Sequence, residues 1–141
     1  PGIFWEDESF MAFFSTWPNC KGNAVVIPKK HFASDVLGMN EEDLCEFICA
    51  AKKVAKILEN FFDDVGRVGV IMEGTGIDHA HIKLYPMHGG YMKKGEWKQM
   101  HSGNNKYFEK YEGYISSNDG PKADENSLRE LAKEVRDFNK N

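Results

Sequence analysis

Apolar residues recur along this chain with two periods, and the periods mark its elements. Ile3 to Trp5 and Phe10 to Phe14 read as short strands. Trp17-Pro18-Asn19-Cys20-Lys21-Gly22 has turn chemistry. It leads into Ala24-Val25-Val26-Ile27, an apolar, valine-rich run stopped by Pro28. From Asn40 the spacing becomes helical, with Leu44, Phe47, Ile48, Ala51, Val54, Ala55 and Leu58 on one stripe. Asn40 can cap this helix, Met39 and Leu44 can staple it, and Glu41, Glu42 and Asp43 suit the positive end of its dipole. Arg67 to Glu73 is the next strand candidate, Gly74-Thr75-Gly76 a turn, and Ile77 to Tyr85 alternates up to Pro86. His88-Gly89-Gly90 opens a loop. Tyr91 to Asn105, rich in Lys, Gly and Asn around Trp97, reads as a surface lid or contact loop. Tyr107 to Ile115 is an aromatic-rich strand candidate, and Ser116 to Pro121 a turn cluster. Leu128, Leu131, Ala132, Val135 and Phe138 mark a C-terminal amphipathic helix. Strands around one long helix, without regular βαβ alternation, predict an α+β fold on an antiparallel sheet.

A length of 141 residues bounds one domain, with a core over residues 3–88 and a C-terminal extension over 89–141. Its net charge of −4 argues against a nucleic-acid duplex binder, although Lys29-Lys30 and Lys93-Lys94 are local basic pairs. Cys20, Cys45 and Cys49 form no disulfide framework, and Cys45 and Cys49, four apart on the helix, are expected as buried thiols. No signal peptide and no membrane-length apolar run occurs, so the cytoplasm is the expected location. The sequence opens on Pro1 rather than Met, so a preceding segment is expected.

Candidate chemistry concentrates in His79-Ala80-His81-Ile82-Lys83. On a strand, His79, His81 and Lys83 share one face, and Ala80, Ile82 and Leu84 the other. Two imidazoles and an amine in a row admit three readings. They are a half-exposed structural face, a metal site built on His79 and His81 with His88, His31 or a carboxylate, and a phosphate site. Lys83 argues against a divalent cation. Phosphate chemistry is favoured, because a neutral imidazole can attack phosphorus and the Gly74-Thr75-Gly76 turn can offer N–H groups to an oxyanion. His88, just past Pro86, can border the same pocket.

The segment Ile77-Asp78-His79-Ala80-His81-Ile82-Lys83-Leu84-Tyr85-Pro86 resembles the signature of the histidine-triad (HIT) family, in which apolar residues separate three histidines. Ala24-Val25-Val26-Ile27-Pro28-Lys29-Lys30-His31 resembles that family's strand ending in Pro-Lys-x-His, and Trp5 to Phe13 its opening hairpin. The resemblance implies a two-layer sheet of about five strands with one long helix packed on it, and a homodimer. It implies hydrolysis or transfer at a nucleotide α-phosphate, on dinucleoside polyphosphate or nucleoside phosphoramidate substrates, with no cofactor. His81 takes the place of the nucleophile, forming a nucleotidyl-imidazole that water resolves. His79 orients the site, and His31 has a mainly structural role.

This sequence departs from the family pattern at four places. Lys83 replaces the third histidine, Asn23 a supporting histidine, Ser15 an acidic ribose ligand, and Gly76 a phosphate-binding serine five residues before the nucleophile. The alternative implied by these departures is a non-catalytic nucleotide-binding module. Many relatives also carry a zinc-binding Cys-x-x-Cys ahead of the core, of which this sequence has no trace.

Overall fold

The computed structural model describes residues 2–89, 95–98, 109–110 and 121–140. The apolar runs form β1 (Ile3–Glu6), β2 (Phe10–Phe14), β3 (Ala24–Pro28), β4 (Val68–Ile71) and β5 (Ile82–Pro86). All pair antiparallel in one sheet, ordered β1-β2-β3-β5-β4. Alternate residues of β2, β3 and β5 are buried, which fixes one inward face. Helix α1 (Glu41–Phe61) and helix α2 (Glu125–Asn139) cover that face and touch one another. Val36 to Gly38 makes one 3-10 turn ahead of α1, which the patterning did not foresee.

Asn40 caps α1, its side chain accepting the Asp43 N–H at 2.9 Å. The buried face of α1 is centred on Phe47, Val54 and Leu58, each fully buried. At about 100° per residue Ile48 stands a full step off that centre. It is accordingly 40% exposed, while Ala50 and Ile57, missing from the expected stripe, are buried. Cys45 and Cys49 lie on the opposite side and are exposed, which corrects the expectation of buried thiols. Cys20 is half-buried, and that burial pushes its thiol pKa up. In α2, Leu128, Ala132 and Val135 face inward, and the Arg136 guanidinium donates to the Ile3 carbonyl of β1. The strand expected over 107–115 and the turn cluster from Ser116 lie outside the described residues, apart from Glu109, Lys110 and Pro121.

Candidate active site

The sheet delivers the histidine motif in two parts. The strand expected over Ile77 to Tyr85 begins only at Ile82, because the β3–β5 ladder stops at Val26 opposite Ile82. Two residues further along β3 stands Pro28, which has no N–H to donate. Side-chain and loop bonds hold the chain instead. Ala80 N–H donates to the Phe32 carbonyl, and the Asp78 carboxylate accepts the Ser34 N–H at 2.9 Å. That bond, more than the cationic pull of His31 and His79, lowers the Asp78 carboxyl pKa. The alternation survives all the same. Ala80, Ile82 and Leu84 are fully buried, and His79, His81 and Lys83 are half-buried on the other face.

His81 follows two imidazole contacts made by its neighbour. His79 Nε2 lies 2.8 Å from the Pro28 carbonyl, and its Nδ1 lies 3.0 Å from Nδ1 of His31. A carbonyl only accepts, so His79 carries a proton on Nε2. With both rings neutral, His31 then donates from Nδ1 to Nδ1 of His79. His81 Nδ1 in turn meets the His79 carbonyl at 2.8 Å. It must donate there, which leaves the lone pair of neutral His81 on Nε2. A backbone carbonyl thereby sets the tautomer a nucleophilic imidazole needs.

Lys83 carries the other charge. Its ammonium pairs with Glu73 Oε1 at 2.6 Å, with 21% and 16% of the two side chains exposed. Thr75 Oγ1 donates to the same oxygen at 3.2 Å, while Oε2 is buried with no hydrogen-bond partner. Burial pushes the Glu73 pKa up, but the hydrogen bond and charge of Lys83, with the smaller bonds, outweigh it and the net shift is down. Glu73 went unrecognised as a site residue. The signal was present, since a half-buried ammonium needs a carboxylate and Glu73 ends the neighbouring strand candidate. His31 was weighed beside His79 only as a metal-site option, and its direct contact with that imidazole was not foreseen, because 48 positions of sequence separate the two.

The Gly74-Thr75-Gly76 turn packs beside this cluster. Gly74 has φ +73°, and a Cβ there would sit 2.7 Å from the Ser34 carbonyl, so only glycine fits. Gly76, φ +96°, faces open space. Ser15 and Asn23 lie toward the other end of the sheet. The Ser15 N–H donates to the Asn23 carbonyl, Ser15 Oγ accepts the Trp17 N–H, and buried Asn23 donates from Nδ2 to the Leu84 carbonyl. By the β3–β5 register Asn23 stands beside Tyr85, four residues or about 13 Å of strand from His81. His88 is not brought to the cluster. It sits past the far end of β5, where its Nε2 meets the Lys21 carbonyl at 2.7 Å and its Nδ1 the Asp64 carboxylate at 3.0 Å. Both ring nitrogens are thus taken by protein, and the residue expected at a pocket rim clasps two loops instead. Among the described residues no three His, Cys, Asp or Glu side chains gather in a metal-holding group.

No protein-family model matches the chain. An uncharacterized HIT-like protein of Methanocaldococcus jannaschii is 32% identical over 108 residues, covering 70% of this chain and 80% of that protein. The chain belongs to the HIT family. Solved HIT structures share its fold. A Hit-like protein involved in cell-cycle regulation from Bartonella henselae superposes with a TM-score of 0.63 at 23% identity, covering 96% of this chain and 84% of that one. A hypothetical histidine triad nucleotide-binding protein from Sulfolobus tokodaii gives 0.61 at 22% identity, over 97% and 82%. The diadenosine triphosphate hydrolase of Plasmodium falciparum gives 0.61 at 14% identity, over 97% and 75%. The five-stranded antiparallel sheet with one long and one C-terminal helix is therefore the HIT fold. Among the described residues no helix is long and apolar enough to cross a membrane.

Proposed function

We propose that this protein is a nucleotide-phosphate hydrolase or nucleotidyl transferase in which His81 Nε2 attacks an α-phosphate. The observation that carries the reading is the bond from His81 Nδ1 to the His79 carbonyl, which leaves Nε2 as the free lone pair. Attack forms a phosphorus–nitrogen bond and expels the leaving group. Water then breaks that bond and restores the imidazole. His79, held between the Pro28 carbonyl and His31, positions the backbone that orients His81. Backbone N–H groups of Gly74, Thr75 and Gly76 are assigned to the phosphate oxygens. Lys83 is assigned to electrostatic stabilisation of the transition state. Ser15 and Asn23, some 13 Å of strand away, are assigned to the nucleoside end. Dinucleoside polyphosphates and nucleoside phosphoramidates are the substrate types, and no cofactor takes part.

Membership of the family and the nucleotide-related names of its structural relatives support this reading. A homodimer that continues the sheet through β4 is part of it, since β4 is an edge strand with Val70 46% exposed. Three free cysteines suit a cytoplasmic setting. One observation favours a second reading, a binding module without turnover: the ammonium at the third motif position is already engaged by Glu73.

Rapid quench with an α-phosphate-labelled nucleotide substrate, followed by peptide mass spectrometry, separates the two. A nucleotidyl adduct on His81, lost in His81→Ala together with at least a thousandfold of kcat/KM, is the expected result. Nucleotide binding with no adduct and no turnover on either substrate type would leave only the binding module.

A further inference from the structure

We propose that a groove at the β1 edge, on the helix side of the sheet, is a docking site for an acidic peptide segment of a partner protein in which large apolar residues alternate with the acids. The groove spans about 1070 Å³ between β1, α1 and the last turn of α2. Trp5 comes from β1, Phe138 from α2, and Lys52, Lys53, Lys56 and Ile57 from α1. The strand order puts β1 at one edge of the sheet and β4 at the other, so the groove is clear of the edge assigned to the dimer. Trp5 pairs with Ala12, which is fully buried on the face beneath the helices, whereas His79, His81 and Lys83 stand on the other face. Docking here leaves the histidine face open and does not depend on His81 as the nucleophile.

Charge selects the occupant first. The described residues that line the groove include three Lys and no Asp or Glu, although the whole chain carries −4. Lys56 is matched by Glu59 at 2.7 Å, but among the described residues Lys52 and Lys53 take part in no ion pair. Lys53 and Cys49 also line a neighbouring hollow with Asp7, Glu8 and Glu46. Negative charge on that side turns an incoming anion toward Lys52 and Lys56, which line the groove and not the hollow.

Spacing and apolar surface then favour a peptide. Lys52 and Lys56 stand one helical turn apart, about 6 Å along the axis. Alternate residues of an extended peptide repeat at about 6.7 Å and point the same way, so two acids can meet the two ammoniums. The residue between them points across the groove, toward the wall made by half-buried Trp5 and by Phe138, which is 44% exposed. Buried Ile57 floors the groove, an aliphatic surface on which a nucleic-acid base has no ring to stack. A flat bilayer does not fill a concave groove. A segment this short buries less than a standard interface, so the contact is weak and transient.

The probe is the acetylated, amidated peptide Glu-Phe-Glu-Leu-Glu, with Kd from calorimetry and alkylation by neutral iodoacetamide read by peptide mass spectrometry. Cys49 is exposed and lines the groove, while Cys45, one turn earlier and also exposed, is outside its lining and serves as the internal reference. At about ten times Kd of peptide, Cys49 is expected to react about tenfold slower than in the free protein, with Cys45 unchanged. Lys52→Glu combined with Lys53→Glu is expected to raise Kd about tenfold or more, since each reversal removes an attraction and adds a repulsion. Wild type should weaken likewise at about 1 M salt, where screening shortens to about 3 Å. Equal protection by the uncharged Gln-Phe-Gln-Leu-Gln, or by Glu-Ser-Glu-Ser-Glu, overturns the proposal. So does a Cys49 already unreactive in the free protein, which means that the chain itself fills the groove. Protection by phosphatidylserine vesicles or by single-stranded oligothymidylate, with none by the peptide, overturns it in favour of a membrane or a nucleic acid. If the double variant does not fold, the salt dependence and the uncharged peptide decide on wild type alone.

Discussion

Replacing Lys83 with Met keeps the aliphatic stem that packs on the sheet and removes only the charge. Glu73 is then left in a site where one oxygen already lacks a donor and the other retains Thr75 alone. Removing one partner of a fully buried ion pair costs about 3–5 kcal/mol. Here 21% and 16% of the two side chains reach solvent, so about 2–3 kcal/mol is expected. For a chain of this size that is roughly 5–10 °C in Tm. The pH dependence gives a second, independent signature. In wild type the Glu73 pKa is lowered on folding, so the pair stabilises above the ordinary carboxylate range and that stability is lost as pH falls through the lowered value. In Lys83→Met the hydrogen bond and charge that chiefly offset burial, the largest effect acting on Glu73, are gone, so the folded pKa moves up from its wild-type value. The deficit of the variant is then greatest at neutral pH and shrinks as pH falls toward about 4. Urea unfolding of both proteins at pH 7, 5.5 and 4 measures this. A variant within 0.5 kcal/mol of wild type at pH 7, or a deficit that grows as the pH falls, would refute the reasoning.

The turn and the loop clasp give two further tests. Gly74→Ala should cost about 1–3 kcal/mol, since φ is +73° and the new Cβ meets a backbone oxygen, while Gly76→Ala should cost less in its open surroundings. Equal urea midpoints for the two variants would contradict the packing assigned to Gly74. Asp64→Asn should flatten the acid limb of thermal stability. The His88 hydrogen bond lowers the Asp64 carboxyl pKa, so its contribution is present above the ordinary range and lost as pH falls through that lowered value. Melting curves between pH 3 and 6 that run parallel for the two proteins would rule this contribution out.

The sequence by itself determined a good deal. Local period marked β2 and the turn of the chain at Pro28, the Asn40 cap and the course of α1 and α2, because pleat, helical repeat and capping are set by near neighbours. The alternation Ala80, Ile82, Leu84 against His79, His81, Lys83 also held, since a buried face leaves a strand no other register. What needed three dimensions was every contact between residues far apart in the chain. The ladder of β5 starts late because Pro28, 52 residues before Ala80, has no N–H to give. Ile48 turned outward because the centre of a helical face is chosen by the sheet it packs on. His88 left the site for Asp64 and Lys21, while His31 and Glu73 entered it. The spacing of residues in sequence sets which side chains share a face; only the folding of one strand onto another decides which charge meets which, and so what the face around His81 can bind.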